Sequence, residues 1–204
     1  MLLVSALRLV LLVLAFAVMG CGERPKMARL PSDAVVLAFG DSLTYGTGAA
    51  EAESYPAQLE QLIGRRVVRA GVPGEVTAQA LARLPEMLDE HAPRLLVLCI
   101  GGNDFLRRLG NQQAEGNVRA MVQLARSRGV DVLLIGTPEP GFSVTPPPFF
   151  AAIAKEFRLP YEDGAIGDVL KDNALKSDPI HPNARGYRVI AERVAATLKK
   201  SGAI

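Results

Sequence analysis

The segment VLAFGDSLTYG, residues 36–46, passes from a short apolar run into a polar turn that is bounded by glycine. A short run of consecutive apolar residues is typical of a parallel strand that is covered on both faces. Ser42 follows directly after this run, where the strand is expected to end. Two interpretations are open: Ser42 is a reactive alcohol held at a strand end, or its hydroxyl only stabilises a turn.

Apolar runs and helical patterns alternate along the rest of the chain. The runs predict strands at Ala34–Phe39, Arg66–Ala70, Leu95–Ile100 and Asp131–Gly136, with a shorter one at Leu159–Glu162. Helical spacing predicts helices at Ser54–Ile63, Thr77–His91, Ala114–Arg128, Pro148–Phe157 and Ala184–Lys199. Strands that alternate with helices in this way predict a single three-layer α/β domain built around a parallel sheet.

The composition predicts a folded chain and argues against a nucleic-acid-binding protein. Of the 204 residues, 49% are hydrophobic and 22% are charged, which is enough apolar material for a folded core. Tryptophan is absent, the net charge is only +2, and the basic residues are dispersed along the sequence. The sequence therefore has neither the charge nor the aromatic residues that are typical of a nucleic-acid-binding protein.

The first part of the chain is interpreted as a targeting segment. Residues 1–19 are apolar except for Ser5 and Arg8, and Gly20-Cys21 follows them. An apolar stretch that ends in small residues is typical of a secretory signal. The Gly20-Cys21 pair makes this segment resemble a bacterial lipoprotein signal. It predicts a signal peptide at residues 1–20 and lipidation of Cys21.

Two alternatives remain open for this segment: a transmembrane anchor, and an ordinary signal that leaves Cys21 free. If Cys21 carries lipid, we expect an exported protein of the cell envelope that faces the periplasm. Gly22 mildly favours the outer membrane, by resemblance to known lipoproteins. Residues 21–33 are predicted to be the lipidated cysteine and a polar, proline-containing tether, and residues 34–204 the folded domain.

Polar, glycine-rich segments follow the first three predicted strands, and another precedes the last helix. They are GDSLTYG (40–46), GVPGEVT (71–77), GGNDF (101–105) and SDPIHPN (177–183). Parallel strands place all their carboxyl ends on one edge of the sheet, so the first three segments are expected to meet there.

A serine hydroxyl needs a neighbouring base to become a nucleophile, and the chain contains two histidines. His91 ends a predicted helix, where the helix dipole favours it, and it precedes a strand, which places it at the wrong edge. His181 has Asp178 three residues before it, a spacing that lets the carboxylate orient the imidazole toward Ser42. The alternative is a turn at Asp178-Pro179 and a helix cap at Asn183.

Acyl transfer also requires donors for the oxyanion that develops on the substrate carbonyl. The candidates are the backbone N–H of Ser42, the backbone N–H of Gly74 and the side-chain amide of Asn103. Taken singly, the glycines are explained by tight turns and Asn103 by a helix N-cap. Cys99, in the apolar run RLLVLCIGG, is interpreted as a small buried side chain and not as a nucleophile.

Taken together and in this order, the motifs GDSL, GxxG, GGND and DxxH resemble the GDSL or SGNH hydrolase family over residues 34–198. RAGVPGEVTAQALARLPEML and LCIGGNDFLRR look most like its small Gram-negative arylesterase, thioesterase and lysophospholipase branch. The resemblance implies a flavodoxin-like α/β/α domain with a five-stranded parallel sheet and no metal or cofactor. It implies Ser42 as nucleophile, His181 as base, Asp178 as its partner, and Ser42, Gly74 and Asn103 as oxyanion donors.

This chain departs from the close relatives at three places. Arg69 and Gly71 stand where those relatives often have Asn and Ser. The segment 137–176, which helps to shape the acyl pocket in the family, is shorter than in relatives that act on long chains.

The predicted function is therefore that of a lipid-anchored serine esterase. It would hydrolyse a small-molecule carboxylic ester, a thioester or a lysophospholipid through an acyl-enzyme. Two other functions are weighed against it: a carbohydrate O-deacetylase acting on envelope glycan, and an acyl-binding lipoprotein without turnover. A flavodoxin-like nucleotide-binding protein is excluded, because Asp41 occupies the first loop and no P-loop lysine follows it. The sequence does not specify the oligomeric state.

Overall fold

Short apolar segments of the chain pair into the central sheet. The computed structural model describes residues 25–139, 141 and 144–204. Its strands are β1 (Val36–Gly40), β2 (Val67–Gly71), β3 (Leu95–Cys99), β4 (Asp131–Ile135) and β5 (Tyr161–Glu162). All of β1 and β3 is buried, as expected for strands that are covered by helices on both faces.

The helices that connect these strands cover the sheet from both sides. They are α1 (Ser42–Tyr45), α2 (Tyr55–Ile63), α3 (Thr77–His91), α4 (Gly102–Leu106), α5 (Asn111–Ser127), α6 (Pro148–Phe157), α7 (Ala165–Lys171) and α8 (Ala184–Ser201). Single 3₁₀ turns occur at Glu51–Glu53 and Asn173–Leu175.

All strand pairs are parallel, and the strand order is β2-β1-β3-β4-β5. In register, Val36 of β1 lies opposite Val67 of β2 on one side and Leu95 of β3 on the other. The predicted five-stranded parallel α/β fold is thus confirmed. The strand order reverses direction between β1 and β3, and ligands bind outside the carboxyl ends of the strands at such a switch point.

Two hydrophobic layers form because neighbouring residues of a strand point to opposite faces. Val36 and Ala38 face one layer, which α2, α7 and α8 complete, and Leu37 and Phe39 face the other, which α3, α5 and α6 complete. The rigid sheet between these layers holds the loops at its carboxyl edge.

The segment predicted as a tether, residues 22–33, is bound to the domain from Met27 onward. The Met27 N–H donates to the Ser201 carbonyl at 2.9 Å, and the Leu30 N–H donates to the Ala203 carbonyl at 2.8 Å. The Leu30 side chain is 4% exposed and belongs to the core, and Arg65 donates to the Leu30 carbonyl at 3.1 Å. The chain therefore enters the fold beside the carboxyl end of α8.

Most predicted elements match the structure closely. Helices α3 and α6 have the predicted bounds, and the strands differ by one or two residues at their ends. Sequence analysis did not predict α1, α4 and α7, because all three are short, and α1 and α4 begin within the glycine-rich segments GDSLTYG and GGNDF. Residues 1–24, which include the predicted signal peptide and Cys21, lie outside the described residues. Among the described residues, none of the helices is long and apolar enough to cross a bilayer.

Candidate active site

Ser42 lies at the first turn of α1, directly beyond the carboxyl end of β1. Asp41 caps this helix, and its Oδ1 accepts the Leu43 N–H at 3.0 Å. Gly40 allows the close approach that this turn requires, since a Cβ there would lie 1.8 Å from the Cys99 carbonyl oxygen. The turn thus exposes the Ser42 side chain at the edge of the sheet between β1 and β3.

The loop before α8 brings an imidazole to this serine. His181 Nε2 lies 3.0 Å from Ser42 Oγ, although the two residues are 139 positions apart in the sequence. His181 Nδ1 lies 2.7 Å from Asp178 Oδ2. The structure therefore arranges hydroxyl, imidazole and carboxylate in one line, as a serine nucleophile with an oriented base requires.

Asp178 is held by its own loop as well as by the histidine. Its Oδ1 accepts the backbone N–H groups of Ile180 at 2.9 Å and His181 at 2.8 Å. Partial burial acts to raise the pKa of Asp178, but the hydrogen bonds from His181 and from these two N–H groups hold it below its ordinary value. The carboxylate is therefore ionised at neutral pH and can stabilise a positively charged imidazole.

Contacts outside the histidine loop fix its position relative to Ser42. Asn183 caps α8 by accepting the N–H groups of Arg185 and Gly186, as the alternative interpretation of this residue predicts. Gly48, in the loop after α1, packs so closely on this segment that a Cβ would lie 2.1 Å from Ser177 Oγ. Tyr187 of α8 donates to the Thr47 carbonyl at 2.7 Å. The loop after α1 and the loop before α8 are thus joined to each other.

The three candidate oxyanion donors lie around the same pocket as Ser42. The backbone N–H groups of Ser42 and Gly74 donate to no acceptor in the described part of the chain. Asn103, in contrast, donates its side-chain amide to the Glu75 carbonyl at 3.0 Å and to Asp41 Oδ2 at 3.4 Å. Gly101, not Asn103, is the N-cap residue of α4, so the helix-cap alternative for Asn103 is wrong.

Asp41 has a buried carboxyl group that sequence analysis used only to exclude a nucleotide site. It is 2% exposed, and burial, with a smaller contribution from the negative charges of Glu75 and Asp104, raises its pKa to about 7. Its Oδ2 faces the amide of Asn103, a contact between residues 62 positions apart that local sequence patterns do not indicate.

Two further carboxylates hold the loop after β2, and sequence analysis missed both. Asp104 of α4 is fully buried and accepts the N–H and the hydroxyl of Thr77 at 2.8 and 2.6 Å. Glu75 accepts two hydrogen bonds from Arg83, at 2.8 and 2.6 Å. These contacts fix the chain directly after Gly74. The acidic residue directly after GGN is the one sequence signal that could have indicated this role.

A cavity of about 480 Å³ opens beside Ser42 and His181. Apolar side chains line much of its wall: Leu106, Val144, Ile166, Leu170 and Ile180. Glu139 and Lys176 are the charged residues among those that line it away from the serine. A pocket of this volume with apolar walls and a few convergent polar groups suits an organic ligand.

The two departures in β2 have structural explanations. Arg69 lies over the ring of Tyr45 at 4.7 Å, donates to its carbonyl at 2.6 Å and pairs with Glu51 at 3.0 Å. Gly71 makes room for α1, because a Cβ there would lie 2.1 Å from the Tyr45 nitrogen. Both residues therefore support the helix that begins with Ser42.

The remaining candidates lie away from the pocket or outside the described residues. His91 ends α3 before β3 begins, at the opposite edge of the sheet from Ser42. Cys99 is 1% exposed in β3, and burial raises the pKa of its thiol. No group of three or more His, Cys, Asp and Glu residues that could hold a metal ion occurs within residues 25–139, 141 and 144–204.

A doubly wound parallel sheet with serine, imidazole and carboxylate in line at its carboxyl edge defines the class of α/β/α serine hydrolases. The sequence profile of the GDSL-like lipase/acylhydrolase family matches residues 38–189. The chain therefore belongs to this family, and it is a serine esterase of the SGNH type.

Individual relatives agree with this assignment. Esterase TesA of Pseudomonas aeruginosa is 30% identical over 202 residues, which cover 91% of this chain and 98% of that protein. Thioesterase 1/protease 1/lysophospholipase L1 of Escherichia coli K12 is 31% identical over 172 residues, 80% of this chain and 83% of that protein. A crystal structure of TesA superposes with a TM-score of 0.72 at 30% identity and covers 82% of this chain and 99% of that one.

Proposed function

We propose that Ser42 is the nucleophile of this esterase and that His181 is its general base. Ser42 Oγ attacks the ester carbonyl while His181 Nε2 takes the hydroxyl proton, and Asp178 stabilises the imidazolium that results. The imidazolium then protonates the leaving alcohol, and an acyl-enzyme remains. His181 next activates a water molecule, which releases the acid and restores the serine. The observation that carries this proposal is the pair of contacts at 3.0 and 2.7 Å that joins Ser42, His181 and Asp178.

The N–H groups of Ser42 and Gly74 and the amide of Asn103 are proposed to bind the oxyanion. The two backbone groups have no competing acceptor in the described part of the chain. Asn103 exchanges its longer contact, 3.4 Å to Asp41, for the oxyanion and keeps its 3.0 Å bond to the Glu75 carbonyl. The loss of one such donor typically costs about 2.7–4 kcal/mol of transition-state stabilisation.

The direct test is Ser42→Ala, measured by turnover of p-nitrophenyl butyrate and by labelling with a fluorophosphonate. We expect kcat to fall by about 10⁴-fold or more and labelling to disappear, since the acyl-enzyme cannot form. Ser127→Ala is a matched control, because Ser127 is an exposed serine at the end of α5, on the far edge of the sheet. Unchanged turnover by Ser42→Ala would rule out this mechanism.

The cavity supports an acyl chain of moderate length as the preferred substrate. Each methylene that enters an apolar wall contributes about 0.8 kcal/mol, or about fourfold in kcat/KM. We expect kcat/KM to rise in steps from acetate as the acyl chain lengthens and then to level off once the cavity of about 480 Å³ is filled. Thioesters and lysophospholipids belong in the same series, because the relatives include a protein named thioesterase 1 and lysophospholipase L1.

A carbohydrate O-deacetylase is the second candidate, and the same series tests it. An enzyme of that kind would act on acetylated sugars and would lose activity as the acyl chain lengthens. The apolar side chains along the cavity, which include Ile166 and Leu170, favour the esterase. If the protein were instead an acyl-binding lipoprotein without turnover, Ser42 would not react with the fluorophosphonate.

We also propose that the protein is exported and held in the cell envelope by lipid on Cys21. The apolar run before Gly20-Cys21 in the sequence supports this location. Cys21→Ala should release the protein from the membrane fraction, and the mass of the wild-type N-terminal peptide should include acyl chains. A wild-type peptide that carries an unmodified Cys21 would exclude lipidation.

A further inference from the structure

Exposed basic side chains gather at the edge of the sheet where the strands begin, opposite the candidate active site. We name this surface the basic edge, and its members are Lys26, Arg29, Arg66, Arg94, Lys199 and Lys200. Their positions in the sequence are scattered, which is why composition alone gave no sign of the cluster.

Backbone hydrogen bonds place Arg66 and Arg94 on either side of the start of β1. They are the residues directly before β2 and β3, the two strands that flank β1. The Val36 N–H donates to the Arg66 carbonyl at 2.9 Å, and the Arg94 N–H donates to the Val35 carbonyl at 2.9 Å. Both side chains therefore leave the sheet at its amino edge.

The other members come from the two ends of the chain. Lys199 and Lys200 lie in the last turn of α8, just before Ser201 and Ala203 accept the N–H groups of Met27 and Leu30. Lys26 and Arg29 precede these two donors directly. The link to the sheet edge is Arg65, the residue before Arg66, which donates to the Leu30 carbonyl at 3.1 Å.

The positive charge of this surface is not neutralised by ion pairs. Within the described residues, none of the six side chains lies within 4.0 Å of a carboxylate oxygen. Acidic groups at the same edge are fewer, and two of them pair with other arginines: Asp89 with Arg128 at 2.6 Å and Asp131 with Arg126 at 3.8 Å. Asp33, Glu60 and Glu90 lie near the same edge and are fewer than the six basic residues.

The pocket opens at the far end of the molecule from the basic edge. Helix α8 has 18 residues, so it is about 27 Å long. Asn183, two residues after His181, caps its first turn, while Lys199 and Lys200 lie in its last turn. The basic edge and the pocket thus lie at opposite ends of one rigid helix.

We propose that the basic edge docks on a bilayer surface that contains anionic phospholipid, with the pocket facing the aqueous side. Basic residues close to an anionic leaflet each attract it, and a broad set of exposed, unpaired cations fits its dispersed headgroups. Pro25, where the described chain begins, lies at the same edge. It is four residues after Cys21, a separation that spans at most about 14 Å. Lipid on Cys21 would hold this same edge against the membrane. This part of the inference rests on the proposed function.

This orientation also narrows the substrate class of the proposed esterase. A pocket that faces away from the membrane surface receives esters that diffuse in the aqueous phase. It does not reach the acyl chains of lipids embedded in the leaflet on which the protein is docked.

The test is co-sedimentation of a lipid-free chain that starts at residue 21, carries Cys21→Ser and retains every described residue. Vesicles of phosphatidylcholine with 30 mol% phosphatidylglycerol should bind it, and vesicles of phosphatidylcholine alone should not. The variant R66E/R94E/K199E/K200E should lose more than about a hundredfold in partition coefficient, because four attractive charges become repulsive. Binding of the parent chain should weaken steeply between 0.05 and 0.5 M salt, because the Debye length shrinks about threefold over this range.

The control is R108E/K171E, a reversal of two exposed cations that do not belong to the basic edge, and R66E/R94E is the edge variant with the same change in net charge. The control should bind as the parent chain does, and vesicle-bound parent should hydrolyse p-nitrophenyl butyrate at the rate of the free chain. Equal loss in the control, an unaffected quadruple variant, or turnover blocked by binding would overturn the proposal. Absence of all turnover would instead contradict the esterase assignment, and the sedimentation result would still decide whether the edge docks.

Discussion

The two carboxylate oxygens of Asp178 have different roles. Oδ1 holds the loop through two backbone N–H groups, and Oδ2 faces His181 Nδ1 at 2.7 Å. The Asp178→Asn variant can still accept the two backbone N–H groups through its amide oxygen. Its amide nitrogen, however, faces His181 Nδ1 and favours the histidine tautomer that carries its proton on Nε2. That nitrogen can then no longer accept the proton of Ser42, so we expect kcat to fall by about 10³–10⁴-fold with little change in KM.

Asp172→Asn is the matched control for this substitution. Asp172 also accepts a backbone N–H, that of Ala174 at 2.8 Å, and it has no histidine partner. Its kcat should equal that of the wild type.

The pKa of Asp178 lies below its ordinary value, so the contribution of this carboxylate to stability is present at neutral pH and is lost as the pH falls through that lowered pKa. A kcat for Asp178→Asn near that of the wild type would leave the carboxylate without its proposed role.

Asp41 links stability to activity at the single-residue scale. Its folded pKa of about 7 lies above the unfolded value of 3.8, so the folded protein keeps this proton to a higher pH. The stability it contributes is full below pH 3.8 and is lost as the pH rises through about 7. Asp41→Asn should therefore gain stability relative to the wild type between pH 4 and pH 8, by at most about 4 kcal/mol. Urea unfolding over this pH range measures the difference, and Asp33→Asn, at an exposed position, should show no such trend.

The same substitution should lower kcat by about ten- to a hundredfold. In the wild type the amide nitrogen of Asn103 lies 3.4 Å from Asp41 Oδ2. In Asp41→Asn an amide nitrogen would take the place of this acceptor, and the two donors would repel and displace the Asn103 side chain. A variant that is more stable and equally active would show that Asp41 does not position Asn103.

Local patterns in the sequence were sufficient to predict the residues that are adjacent along the chain. Ser42 in a strand-ending turn and Asp178 three residues before His181 are relations of this kind. The contacts of Asp41 with Asn103 and of Thr77 with Asp104 join segments 62 and 27 residues apart. They arise only from the way β1, β2 and β3 align, so no periodicity or turn signal could predict them.

At the scale of elements, the loop after α1 and the loop before α8 act as one unit. Gly48 has a φ of +98°, and a Cβ there would lie 2.1 Å from Ser177 Oγ and 2.6 Å from the Pro182 carbonyl oxygen. Gly48→Ala should therefore push the histidine loop away from Ser42. We expect the free energy of unfolding to fall by about 2 kcal/mol and kcat to fall by about ten- to a hundredfold.

Gly64→Ala separates the effect of backbone strain from that of the contact. Gly64 also has a positive φ, of +62°, but no atom lies within 4 Å of the place a Cβ would occupy. This variant should lose about 1 kcal/mol of stability and keep the wild-type kcat. Equal kcat values for the two variants would show that Gly48 does not position His181.

At the scale of the whole molecule, the first described segment closes the fold by packing on the last helix. A chain that starts at Pro31 loses the buried Leu30 side chain and the hydrogen bonds from Met27 and Leu30 to the end of the chain. It also removes the carbonyl that accepts from Arg65. Burial of one leucine contributes about 2 kcal/mol and each of the three hydrogen bonds about 1 kcal/mol net, so we expect a loss of about 5 kcal/mol.

Urea unfolding of chains that start at Pro25 and at Pro31 measures this contribution. The two chains should share the same kcat, because the segment lies at the opposite end of α8 from His181. Equal unfolding midpoints would mean that residues 25–30 add nothing to the stability of the domain.

The position of Pro25 at the far end of α8 from Asn183 also has a practical consequence. A resin or electrode coupled through the first described residues would attach to the side that the catalytic loops do not occupy. The pockets of molecules coupled in this way should all face the flowing solution. Random coupling through surface amines would block the pockets of some molecules.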